Sequence, residues 1–134
     1  VSFAAGYVGL PYRAGGRDRD GVDCWGLVRL VYAECLQIDL PLYGEVAATD
    51  YRSVARQIAG DRDTGPWRPV TEPRAFDVAI MRHGASQLIC HVGVMIDARR
   101  VLHVERFKNT CTEAANHPLI APRITGWRRH AECL

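Results

Sequence analysis

Three side chains in this sequence are of the right types to make a nucleophile and its base: Cys24, His91 and His103. Cys24 sits in GVDCWGLVRLVY, residues 21–32, directly behind Asp23. Aspartate is a strong N-cap residue, so Cys24 becomes the first residue of the helix that follows. There, unpaired backbone N–H groups and the helix dipole favour the thiolate. The Asp23 charge opposes this, so the thiol needs a base. On the helix alone, a buried core residue of the apolar stripe is the better explanation of Cys24.

Of the five histidines, His83, His117 and His130 lie in loop-like or terminal contexts that predict exposure. His91 and His103 are each embedded among apolar residues in HVGVMID and VLHVE, two segments read as a hairpin. Side chains alternate along a strand, so both imidazoles reach one side only if the turn holds an odd number of residues, such as three within DARR and its edges. Pairing His103 with Gly93 sets the rings on a diagonal roughly 7 Å apart. An even turn sends them to opposite faces. If the faces agree, Cys24 attacks a carbonyl, His91 carries its proton and His103 orients His91, with Glu105 as the rival orienter. The Cys24 N–H and the Tyr12 hydroxyl then supply oxyanion donors. A metal triangle of Cys24, His91 and His103 is a lesser reading of the same residues.

These groups require a helix and a sheet to position them. Cys24, Leu27, Val28, Val31 and Cys35 recur at helical spacing, which predicts a helix ending near Gln37. Before it, residues 2–9 read as the tail of a short helix, and residues 13–22 as a glycine- and charge-rich loop. Gly26 costs this helix roughly 1 kcal/mol relative to alanine, which is understandable if another backbone approaches its first turn. Residues 50–59 suggest a second helix capped by Asp50 and closed by Gly60. The second half changes period: FDVAIMR reads as a strand, the hairpin follows, RFKNTCT extends the sheet, and ITGWRRH is a final edge strand. Helices first and antiparallel strands afterwards make an α+β domain.

The chain has 134 residues and is read as a single domain over residues 1–134, with 48% hydrophobic and 24% charged residues. A net charge of +2 with scattered basic residues excludes a dedicated nucleic-acid binder. The arginine pairs at 99–100 and 128–129 read as solvated turns or ends. Five separated cysteines, an odd number without a C-x-x-C pair, argue against a disulfide framework and a structural zinc site. No apolar run approaches membrane-spanning length, and no signal peptide is recognised.

Taken together, the motifs resemble the NlpC/p60 family of papain-like cell-wall cysteine peptidases. GLPYRAGG resembles the family's G-x-P-Y-x-x-G-G loop, and GVDCWGLVRLVY its G-x-D-C-S-G-L-V helix. FDVAIMR resembles G-D-L-V-F-F, while HVGVMID and VLHVE resemble H-V-G-I-Y-I and the following histidine-bearing strand. The resemblance spans roughly residues 2–107. It implies a papain-like fold with N-terminal helices packed on a central antiparallel sheet. It implies Cys24 as nucleophile, His91 as base, His103 as third polar residue and Tyr12 on the oxyanion side, with no metal or cofactor. Asp23 is expected to receive the substrate's free amine, with Trp25 and Gly93 as further substrate contacts. Trp25 stands where the family carries serine, adding a bulky wall. Phe76 replaces a glycine and is read as packing alone. Cysteine-tryptophan pairs also occur in papain-like proteases generally, but there the histidine lies much further downstream than the 67 residues between Cys24 and His91.

The implied substrate is a peptidoglycan stem peptide, cut between D-glutamate and the diamino acid. The D-C-W-G variant and compact chain resemble versions encoded with phage tails and gene transfer particles. That makes tail or baseplate proteins expected partners and a virion tail acting at the wall the expected location, with a secreted or periplasmic setting as the alternative. Two rival functions use the same fold: a catalytically silent structural tail component, and an amidase or acyltransferase with the same triad.

Overall fold

The computed structural model describes residues 2–42, 51–84 and 87–134. Its first regular pair is a short hairpin, β1 (Arg17–Asp18) with β2 (Gly21–Val22), inside the segment expected to be an open loop. Ahead of it, residues 2–9 hold a single 3₁₀ turn, Phe3–Gly6.

Helix α1 (Cys24–Val31) follows directly and presents the expected stripe, with Leu27, Val28 and Val31 fully buried. It continues as a π-helical turn, Tyr32–Leu36, and stops at Gln37, whose φ of 55° ends the helix where the sequence predicts. Helix α2 (Tyr51–Asp61) runs through Gly60 rather than closing on it. The expected Asp50 cap lies outside the described residues.

The remaining strands form one six-stranded antiparallel sheet in the order β3-β8-β4-β5-β6-β7. They are β3 (Trp67–Val70), β4 (Val78–Arg82), β5 (Ile89–Met95), β6 (Arg100–His103), β7 (Cys111–Ala114) and β8 (Ile124–His130). The domain is therefore α+β, helices packed on an antiparallel sheet. Leu27, Val28 and Val31 of α1 share one core with Val92 and Val94 of β5 and Leu102 of β6. Each such full burial is worth about 1.5–3 kcal/mol.

Two expectations about β8 are corrected. It is not an edge strand, because β3 and β4 flank it on either side. The edge on this side is β3, a short strand with Pro69 in it, a residue that sheets tolerate at an edge. His130 at the end of β8 is buried rather than exposed, its ring 5.2 Å from that of Trp67 and 6.0 Å from that of Tyr32. Nor is Arg129 a solvated end. It donates to both carboxylate oxygens of Asp77, from Nε at 2.8 Å and from Nη2 at 2.7 Å, and Asp77 is 1% exposed.

Close packing explains one glycine, and backbone conformation penalises one phenylalanine. A Cβ on Gly26 would overlap the carbonyl oxygen of Gly16, so α1 and the preceding loop touch backbone to backbone. Phe76 adopts a φ of 74°, the left-handed region that costs an ordinary residue about 1–2 kcal/mol. Its ring stacks on Phe3 at 4.4 Å and its carbonyl accepts the Tyr32 hydroxyl. Replacement of the family's glycine therefore carries a backbone consequence as well as a packing one.

Candidate functional site

Asp23 folds the start of α1. Its Oδ1 accepts the Gly26 N–H at 2.7 Å, which caps the helix and makes Cys24 the first helical residue. Oδ1 also meets Arg17 Nη1 at 2.6 Å, and Oδ2 accepts the Gly15 N–H at 3.0 Å. The carboxylate is 4% exposed, so a substrate amine would have to share it with these groups. Three backbone bonds lace Tyr12 to the same unit: Val22 N–H to the Pro11 carbonyl, Arg13 N–H to Val22 and Gly16 N–H to Arg13.

The candidate base is positioned by the hairpin turn. Ile96 N–H donates to the Arg100 carbonyl at 2.8 Å, enclosing the three residues Asp97, Ala98 and Arg99. Asp97 fixes the turn by accepting the Arg99 and Arg100 N–H groups at 2.8 and 3.0 Å. The odd count pairs Val94 with Leu102 and Met95 with Val101, which carries His103 opposite Gly93. A Cβ on Gly93 would press on the Cβ of His103 at 3.2 Å and Val101 Cγ2 at 2.7 Å. Gly93 thus makes room for the histidine and does not line the cleft. The imidazoles meet, His91 Nε2 to His103 Nδ1, at 2.9 Å. A register shift beside Arg82 leaves Cys90 as an extra residue just before His91, a bulge of the kind that re-aims side chains near sites.

Glu105 stands behind this pair. Its Oε1 is 3.7 Å from His103 Nδ1, and both its oxygens are held by Arg123 at 2.9 and 3.1 Å. Burial opposes its ionisation, yet the hydrogen bond and charge of the Arg123 guanidinium lead the effects that outweigh it and hold the carboxyl at about 2. His103, not Glu105, touches His91.

Cys24, His91 and Tyr12 line one cleft of about 400 Å³ with Trp25, Trp67 and Ile58. Trp25 is pinned there by its Nε1–H, which donates to the Pro41 carbonyl at 2.9 Å. Burial and the Asp23 charge push the Cys24 thiol up to about 12, against the pull of backbone hydrogen bonds from Val92 and Trp25. Burial, then the neighbouring His103, pushes His91 down to about 3. The resting pair is therefore a thiol and a neutral imidazole. His83, expected to be exposed, also lines this cleft, whereas His117 is exposed as its sequence context predicts. Among the described residues, the clusters with metal-ligand atoms within 4.8 Å of one another are His91–His103–Glu105 and His103–Cys111–Glu113. Cys24 belongs to neither.

Burial of neutral histidines has a pH consequence. His91, His103 and His130 all have lowered pKa values, mainly through desolvation. The unfolded chain takes up these protons near pH 6.5 while the fold resists them. Stability should be level above about pH 7 and fall as pH drops below 6.5, by up to about 1.4 kcal/mol per pH unit for His91 until about pH 3, with His103 and His130 acting in the same direction. Urea unfolding at pH 7.5, 6 and 5 measures this. His91→Asn should flatten the slope, and an unchanged slope would show that His91 is not buried in neutral form.

Comparisons with known proteins bear on the fold and the family of the chain. A Bacillus subtilis (strain 168) protein named gamma-DL-glutamyl hydrolase is 28% identical over 130 residues, 96% of this chain. The chain spans only 28% of that relative's length. Among solved structures, the NlpC/p60 domain of the peptidoglycan hydrolase SagA superposes with a TM-score of 0.56 at 22% identity, over 84% of this chain and 83% of that one. A lipoprotein-like NLP/P60 protein of Staphylococcus aureus superposes with a TM-score of 0.65 at 21% identity, over 95% of this chain and 38% of the other. The family model described as NlpC/P60 matches residues 9–129, and on that match the chain belongs to the NlpC/P60 family.

Proposed function

We propose that this chain is a cysteine endopeptidase that cuts peptidoglycan stem peptides, at the bond between D-glutamate and the diamino acid. One observation carries the reading: a cysteine at a capped helix start shares a cleft with His91, whose Nε2 is held by His103 Nδ1 at 2.9 Å. The name of the Bacillus relative supports the choice of a D-glutamyl bond.

The chemistry runs through one tautomer. With its proton on Nε2, His91 donates to His103 Nδ1 and keeps Nδ1 as an acceptor for the Cys24 proton. The sulfur attacks the D-glutamyl carbonyl as that proton moves to His91. The oxyanion lies against the Cys24 N–H, which the first helical turn leaves without an intrahelical acceptor, and the Tyr12 hydroxyl. His91 then passes its proton to the departing amine, leaving a thioester that water hydrolyses. Burial keeps both resting groups neutral, so the charge pair forms only during attack. Arg17 and the exposed Arg106 at the cleft suit the carboxylates of an acidic stem peptide, and Trp25 and Trp67 provide an apolar wall.

In this reading the enzyme rides on a phage-like tail tip and opens the wall locally, with tail or baseplate proteins as its partners. The test is digestion of purified peptidoglycan with mass analysis of the released fragments. Fragments with a new amino terminus on the diamino acid, absent with Cys24→Ala, are expected. Cleavage at another bond would overturn the assignment of the scissile position, and no release at all would overturn the peptidase reading.

A further inference from the structure

We propose that His103, Cys111 and Glu113 form a binding site for one thiophilic divalent cation of the zinc type, and that its occupancy switches off His91 as a base. The inhibitory half rests on the peptidase reading above; the binding half does not.

Strands β6 and β7 pair His103 with Cys111, and Glu113 lies two residues further along the same face. A ring nitrogen of His103, Cys111 Sγ and a Glu113 carboxylate oxygen lie within 4.8 Å of one another, with Sγ and Oε1 at 3.9 Å. Zinc bonds of about 2.0–2.3 Å span tetrahedral ligands that lie roughly 3.3–3.8 Å apart, so only a small contraction is needed. The second observation is the histidine itself. It is 2% exposed, its Nδ1 is taken by His91, and its Nε2 is buried with no hydrogen-bond partner among the described residues. A buried imidazole nitrogen left over beside a thiol and a carboxylate is a ligand set suited to zinc. Cys111 and Glu113 are only half-buried, so an ion can enter from solvent. The thiolate and carboxylate together balance a divalent charge. The neighbouring His91–His103–Glu105 cluster is less suited, because Arg123 already occupies both Glu105 oxygens.

Binding acts on catalysis through the shared ring. Catalysis needs the proton of His103 on Nε2, because Nδ1 must accept from His91. A cation on Nε2 displaces that proton to solvent, together with the Cys111 thiol proton. His103 then takes the His91 Nε2 proton at Nδ1, and His91 regains one from solvent at its own Nδ1. Both rings stay neutral, one net proton is released, and the nitrogen that should accept from Cys24 is now filled.

Cobalt(II) added to the metal-free protein should give one equivalent of binding with a thiolate-to-metal charge-transfer band. Cys24→Ala should keep that band and Cys111→Ser should lose it. Glu113→Gln, at a half-exposed position, should retain the fold and weaken zinc, measured by competition with a chromophoric chelator. The loss in Cys111→Ser should exceed the roughly 10–100-fold that changes outside the ligand set cost. Zinc should inhibit peptidoglycan hydrolysis reversibly in wild type and spare Cys111→Ser. A band that survives Cys111→Ser, that vanishes in Cys24→Ala, or that never forms would overturn the site. Binding at Cys111 without inhibition would overturn the tautomer switch. A metal-free wild type without hydrolysis would instead overturn the peptidase reading, and the cobalt spectrum would still judge the site.

Discussion

Cys24→Ala should lower peptidoglycan hydrolysis by about 10⁴–10⁶-fold, as removal of an attacking side chain does in hydrolases of this logic. His91→Ala should cost nearly as much, and the double variant little more, because nucleophile and base act in one step. The Cys24 change should not unfold the chain: a small residue there leaves the Asp23 cap and the Leu27–Val28–Val31 stripe intact. Glu105→Gln should cost far less than His103→Ala, since His103 is the ring 2.9 Å from His91 and Glu105 is held by Arg123. Initial rates on labelled stem peptide, with melting temperatures alongside, decide the matter. Cys24→Ala at more than a hundredth of wild-type rate would remove Cys24 as the nucleophile.

The largest stability effect is expected at the far end of the sheet. Arg129→Ala removes the guanidinium that holds both oxygens of a carboxylate 1% exposed. Among the described residues, the Asp77 carboxylate then keeps one donor, the Arg74 N–H at 2.8 Å. Breaking a buried pair by deleting one partner costs about 3–5 kcal/mol, whereas replacing both by apolar residues of similar volume is often neutral. Urea unfolding of Arg129→Ala should show that loss, and Asp77→Leu with Arg129→Met should recover most of it. If Arg129→Ala costs under about 1 kcal/mol, the pair behaves as a surface salt bridge and the burial described above is wrong.

What could be read in the sequence was set by local period, and what could not was set by distant partners. The stripe from Cys24 to Cys35 is specified within a dozen residues, so the helix follows from spacing; the meeting of the two histidines turns on an odd residue count in the turn at Asp97, which spacing leaves open and the Ile96–Arg100 hydrogen bond decides. The neighbours of β8 are not specified that way. Its alternation shows a strand but cannot show that Trp67–Val70 will pair with it from more than fifty residues upstream, particularly when that segment contains Pro69. The Arg129–Asp77 pair and the burial of His130 follow from the same long-range pairing, which is why both read as surface features. Phe76 was misleading for another reason: a side chain gives no warning of a left-handed backbone. The resemblance implies Gly93 as a substrate contact, while its lack of a side chain is what leaves room for His103 and Val101.

The backbone contact between Gly16 and Gly26 has a consequence for changing the substrate of the proposed peptidase. Tyr12, the two glycines, the Asp23 carboxylate and the sulfur are cross-braced into one rigid cassette. Specificity redesign by loop transplantation has to exchange residues 12–26 as a block. A graft with a junction inside that stretch would join two surfaces that were never fitted to each other, and would displace the sulfur along with the loop.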